Sequence, residues 1–135
     1  MSSTLFLASG RPLPEVSYPE NAAVSLDLDR SVFDGCFAIF PTKKPLEVPS
    51  EKAYFMVLEW QYTSERAQNL IEYLEKNLET AGEIEIWHVW QDMDFGHKVR
   101  KARIPIGGLT AEDLQELDRL EVWREPVTDY CYVIS

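Results

Sequence analysis

His88, Asp92, Asp94 and His97 fall within one stretch of ten residues, and no other stretch gathers side chains so suited to chemistry. Imidazole and carboxylate together suit several divalent metals. Their spacing, however, matches no tetrahedral zinc signature, which uses tight pairs such as C-x-x-C or H-x3-H. Asp92-x-Asp94-x-Gly96 also lacks the later glutamate that completes a calcium loop. On a strand, His88 shares a face with Ile84, Ile86 and Trp90, where a packed, hydrogen-bonded histidine is the ordinary outcome. The expectation is no metal and no cofactor.

Nucleophiles offer less. No serine sits in G-x-S-x-G, and the two cysteines, Cys36 and Cys131, carry no local signature of a reactive thiol. Cys131 lies between Tyr130 and Tyr132 and reads as a buried, inert thiol. Glu59, Glu83 and Glu85 fall on expected strands, yet strand glutamates usually face water, and carboxylates alone define no acid–base pair. Gly107-Gly108 ahead of Thr110 offers free amides at a helix start. No G-x-x-x-x-G-K-[ST] accompanies it, and Glu112 and Asp113 already occupy the positive end of that helix. No catalytic residue is assigned, and the reading leans away from an enzyme.

Composition narrows the class. The chain has 135 residues, about one domain's worth. It is 45% hydrophobic, enough for a packed core, and has a net charge of −10. No apolar run approaches the roughly 18–20 residues of a membrane span. The start, Met1-Ser2-Ser3-Thr4, has no basic region ahead of its short apolar stretch, so no signal peptide is expected. Reduced cysteines and a cytoplasmic location follow. The acidic balance repels nucleic acid and anionic lipid and favours a basic protein partner. One segment departs from it: Lys98, Arg100, Lys101 and Arg103 occur with no acid among them. A strand carrying these is expected to meet glutamates on neighbouring strands.

The elements that must position these residues can be read from periodicity and punctuation. Prolines concentrate before residue 52, so the first third should be loop-rich, with a short strand at 4–8. Asp34-Gly35 between apolar residues predicts a hairpin turn whose returning strand, 36–40, stops at Pro41. Residues 53–61 form a near-continuous apolar strand. Thr63 or Ser64 then caps a helix to about residue 80, with Ala67, Leu70, Ile71, Leu74 and Leu78 on one face and Gly82 as its stop. Residues 83–91 alternate, with Ile84, Ile86, His88 and Trp90 facing one way and Glu83, Glu85, Trp87 and Val89 the other. A strand at 98–104, a capping box at Thr110–Asp113 opening a second helix with Leu114, Leu117 and Leu120, and a strand at 130–134 complete the chain.

From residue 53 the order is β-α-β-β-α-β. That predicts an α+β, ferredoxin-like core at 53–135, with two helices on one face of a four-stranded antiparallel sheet. Residues 1–52 would be a loop-rich hairpin extension of the same single domain, 1–135, covering an edge or part of the open face. RNA-recognition domains share this order but stack bases on sheet aromatics, which the basic strand lacks. Nucleic acid is therefore not expected as a partner.

Aromatic residues remain. Trp60, Trp87, Trp90 and Trp123 with six tyrosines are numerous for this length, and such side chains anchor protein interfaces. Trp87 and Trp90 point to opposite faces of one strand, so one of them must pack under the N-terminal segment or meet a partner. Glu83, Glu85, Trp87, Asp92 and Asp94 bracket that strand and its loop, and are the expected contacts for a basic protein. The alternative is a small-molecule or enzymatic pocket lined by His88, Trp90 and Arg100. Oligomeric state is left open.

Phe37-Ala-Ile-Phe-Pro41, Tyr54-Phe55, Leu58-Glu-Trp60 and Ile84-Glu-Ile-Trp-His88-Val-Trp90 resemble an uncharacterised family of small, acidic bacterial cytoplasmic proteins. The resemblance runs from about Cys36 onward and implies no catalytic or binding residue. Size, acidity and aromatic content are also similar to those of immunity proteins that neutralise basic nuclease toxins, without a shared motif. That likeness implies a non-enzymatic protein-binding role.

Overall fold

The computed structural model describes residues 3–17, 37–45, 48–60, 62–90, 98–119 and 128–135. They form a mixed sheet of seven strands, one of them only two residues long, with two α-helices. The strands are β1 (Ser3–Ser9), β2 (Val16–Ser17), β3 (Phe37–Thr42), β4 (Tyr54–Trp60), β5 (Ile84–Trp90), β6 (Lys98–Ile104) and β7 (Thr128–Ile134). The helices are α1 (Ser64–Ala81) and α2 (Ala111–Arg119), the latter preceded by a 3-10 turn, Ile106–Gly108.

The sheet order is β2-β3-β4-β1-β5-β7-β6. This is an α+β architecture, but not the ferredoxin-like one. Far from being peripheral, β1 lies in the middle, antiparallel to both β4 and β5. Its Leu7 stands opposite Met56 and Ile86, and its Phe6 opposite Val57 and Trp87. A strand apolar on both faces belongs in a sheet interior, and Leu5-Phe-Leu-Ala8 meets that demand. The ferredoxin-like order would instead put the third core strand, residues 98–104, at the centre. That strand exposes Val99, Arg100, Lys101, Ala102 and Arg103, so it belongs at an edge, where charged side chains are tolerated and deter further pairing.

Connectivity follows from these placements. β4 and β5 both run antiparallel to β1 and are therefore parallel to each other, joined by the crossover helix α1. β6 and β7 are direct parallel neighbours joined through α2. No β5–β6 hairpin forms, because β7 lies between the two.

Local chemistry sets the helix ends. The Thr63 hydroxyl accepts from Arg66 N–H at 3.1 Å, and Gly82 takes φ 78°, donating its N–H to the Leu78 carbonyl at 2.7 Å. Thr110 and Asp113 cap α2 reciprocally: Thr110 N–H donates to Asp113 Oδ2 at 2.9 Å and Asp113 N–H to Thr110 Oγ1 at 3.3 Å. Ala67, Leu70 and Leu74 are buried as the periodicity requires, while Ile71 and Leu78 are half-buried. Tyr73 joins them, its hydroxyl donating to the Pro14 carbonyl at 2.7 Å.

Each sheet face carries its own apolar layer. Under the helices lie Leu7, Ile39, Leu58, Ile86 and Ile134 with Leu70, Leu74, Leu114 and Leu117. On the other face Phe6, Ala8, Val48, Phe55, Trp87, Val89, Cys131 and Val133 form a second cluster. β3 runs through Pro41 to Thr42 rather than stopping at Pro41. β2 pairs only with Ala38 and Ile39, so Pro41 sits where β3 is an edge, the position that tolerates a missing donor. The Asp34-Gly35 turn, Cys36, Asp92, Asp94, His97, Leu120 and Trp123 lie outside the described residues. Among the described residues no helix is long and apolar enough to cross a membrane.

Candidate functional site

β5 is the strand that the sequence marks out, and all seven of its residues are buried. The alternation is as read: Glu85, Trp87 and Val89 face the layer of Phe6 and Cys131, while His88 and Trp90 face the helix side.

On the first face Glu85 is held as a hydrogen-bond hub. Trp87 Nε1 donates to its Oε1 at 2.8 Å, and Ser50 Oγ donates to the same oxygen at 2.6 Å. Ser50 Oγ in turn accepts from Lys52 N–H at 3.1 Å. A buried polar group needs such partners, because an unmade bond there costs about 1–3 kcal/mol. Phe6, Trp87, Cys131 and Lys101 stand in register across four strands, and Lys101 Nζ lies 5.5 Å from the centroid of the Trp87 ring. Just before the strand, Glu83 pairs with Lys52 at 2.8 Å and Arg103 at 2.9 Å. Those two hydrogen bonds hold its carboxyl below the usual carboxylate range. Of the basic edge strand, Arg103 meets a glutamate, although Glu83 lies just before β5 and not on the neighbouring strand β7.

These placements change the role of the predicted contacts. Trp87 is wholly buried and Glu85 is only 7% exposed, so neither is offered at a surface. Glu83 is half-buried and engaged within the molecule. Ser50 and Lys52, which complete the network, carry no signal in the sequence, because they arrive from a loop 31 to 35 residues away.

Cys131 is fully buried in the same layer. Burial pushes its thiol up to about 12, and the nearby Glu85 charge adds to the rise. A protonated, enclosed thiol is a poor nucleophile. Iodoacetamide at pH 8 should therefore leave Cys131 unmodified in the native protein and label it after unfolding. Peptide mass mapping checks this, and native labelling as fast as that of a free thiol would contradict it.

On the helix side Leu5, His88, Tyr130 and Arg100 form one cross-strand row. The three residues of the alternative pocket thus share a face, but Tyr130 stands between His88 and the exposed Arg100. His88 is 2% exposed and meets Trp90 edge-on, with ring centroids 5.7 Å apart. Among the described residues neither ring nitrogen of His88 has a hydrogen-bond partner. Asp129, also buried, accepts from the Trp90 N–H at 3.0 Å. Burial lowers the His88 pKa, and the Asp129 charge offsets only part of the shift.

The sign of the resulting pH dependence is fixed. The unfolded imidazole takes up a proton near its ordinary value of 6.5, whereas the folded one resists until lower pH. Stability is therefore full above 6.5 and falls below it, by at most about 1.4 kcal/mol per pH unit. Urea unfolding between pH 7.5 and 5.5 should show the fall, and His88→Leu should flatten it. Glu83 acts in a separate window below its ordinary 4.5. A wild-type stability unchanged across the upper range would contradict a neutral, buried His88.

No protein family, no curated protein and no solved structure matches the chain. Among the described residues no three His, Cys, Asp or Glu side chains are placed to hold a metal ion. The acidic surface lies elsewhere: Glu65, Glu72, Glu75 and Glu79 on α1, and Glu112 and Glu116 on α2, are all exposed. Lys76 is the one exposed cation among the described side chains of these helices. Positions 65, 72 and 79 are seven residues apart, a signal visible on any helical projection of the sequence.

Proposed function

We propose that this chain is a non-enzymatic binding domain that engages a basic protein through the outward faces of α1 and α2. What supports the reading is how negative charge is gathered there. Glu75 and Glu79 are like charges at i, i+4, which destabilises an isolated helix. Glu79 also lies in the last turn, where the helix dipole favours cations, and no basic residue is found there. Helix stability alone disfavours this pattern. An acidic field of this kind steers a basic partner to the surface and speeds association.

The finer form of the proposal is an immunity protein that neutralises a basic toxin in the cytoplasm. The test is retention from lysate of the source organism on immobilised protein at low salt, followed by a salt gradient. A basic protein held in stoichiometric amount should leave as salt rises through about 0.1 M, where screening acts within about 10 Å. The triple variant Glu72→Lys, Glu75→Lys, Glu79→Lys should not retain it. Equal retention by the variant, or no basic protein at all, would count against the proposal.

A second reading is a ligand pocket near His88, Trp90 and Arg100. What supports it is a buried imidazole beside an indole, its two nitrogens without a partner among the described residues. A saturable change in tryptophan fluorescence on titrating metals or metabolites, lost in His88→Leu, would favour it.

A further inference from the structure

We propose that the cleft where β3 ends and β4 begins binds a small organic anion with a planar, apolar body. Pairing of Pro41 with Met56 and Thr42 with Phe55 forms one wall, and the chain leaving β1 brings Pro12 and Leu13 against it. The cleft is open to solvent on one side and offers about 380 Å3, toward the lower end of the roughly 300–1,000 Å3 typical of small-ligand sites. Leu13 and Met56, buried on the helix side of the sheet, give it an apolar lining, and Phe55, whose side chain packs on the other face, borders it at its pairing with Thr42. Pro12 and Pro41 stiffen its sides, since each fixes its own backbone φ.

Two features set the ligand's chemistry. Tyr54 is 45% exposed, one of two large hydrophobic residues so exposed among the described residues, and it lines the opening. An exposed ring beside an apolar recess offers a flat body something to stack on. Lys43 and Lys44 line the same cleft; both are exposed, and neither pairs with an acid among the described residues. Among the described residues no acidic side chain lines the cleft, although the chain carries 23 Asp and Glu. A cationic rim around an apolar recess, in a protein with net charge −10, selects an anion. Lysine suits carboxylate and phosphate alike, as a point charge. The assignment is independent of the helical interface.

The test is amide-shift titration with 2-naphthoate, 2-naphthyl phosphate and the neutral naphthalene-2-carboxamide. At least one anion should bind saturably, at roughly millimolar Kd or tighter, with shifts centred on residues 42–44 and 54–56. The carboxamide should bind at least about tenfold more weakly, the loss expected for a charge-assisted contact. Lys43→Ala with Lys44→Ala should reduce the anion to the affinity of the amide, and Tyr54→Ala should weaken all three probes. These side chains are exposed, so unchanged melting of the variants separates lost binding from lost folding. Equal binding of acid and amide, unsaturable shifts, or shifts centred elsewhere would overturn the proposal.

Discussion

Replacing Trp87 by Ala should cost about 3–5 kcal/mol of folding stability, the range for deleting a large buried aromatic. The indole is wholly buried in the layer opposite the helices. Its loss opens a cavity against Phe6 and Cys131 and removes one of the two side-chain donors on Glu85. A total stability of about 5–15 kcal/mol is usual for a domain, so this one change should remove between a fifth and nearly all of it. Trp87→Phe isolates the polar part. It keeps most of the ring volume but removes the indole donor from Glu85, leaving Ser50 among the described side chains, for an expected loss of about 1–3 kcal/mol. Urea unfolding of both variants checks the order. A Trp87→Ala protein as stable as wild type would mean that the residue is not part of a core.

Reversing Glu72, Glu75 and Glu79 to Lys should act in the opposite manner, with little effect on stability and a large effect on binding. Position 79 gains from the helix dipole about 0.3–1 kcal/mol. Replacing Glu72 by Lys turns a favourable i, i+4 pair with Lys76 into a like-charge one, a loss of about 0.4–1 kcal/mol. These terms nearly cancel, so the melting temperature should barely move. Association with a basic partner should slow by about 10-fold or more at low salt, since steering of this kind raises on-rates by roughly 10–10³-fold. The slope of the rate against ionic strength should fall as well. Stopped-flow association across a salt series reads both quantities.

The contrast between the two variants reflects what a sequence displays. Most elements were legible: the caps at Thr63, Gly82 and Thr110, and the alternation along β5, follow from local spacing. The assembly of the sheet was not. Nothing local to Leu5-Phe-Leu-Ala8 says that it inserts between β4 and β5, because that depends on partners about 50 and 80 residues away. Its two-faced apolar character was the available clue, and the exposed charges of β6 were another. The opposite faces of residues 83–91 leave Trp87 either packed under the N-terminal segment or open to a partner, and it is the N-terminal Phe6, Ala8 and Val48 that share its layer. A tryptophan and a glutamate two apart look like an interface when the serine that joins them lies 35 residues upstream. The glutamates of α1 looked unremarkable in an acidic chain until their common outward face was known.

A basic partner bound as proposed covers the acidic helical face. Carbodiimide labelling of carboxylates, with and without the captured basic protein, addresses this most directly. Protection should concentrate at Glu65, Glu72, Glu75, Glu79, Glu112 and Glu116, while exposed Glu15, Glu51 and Glu59 keep their labelling. Protection of those three, with the helical glutamates labelled as in the free protein, would contradict the account.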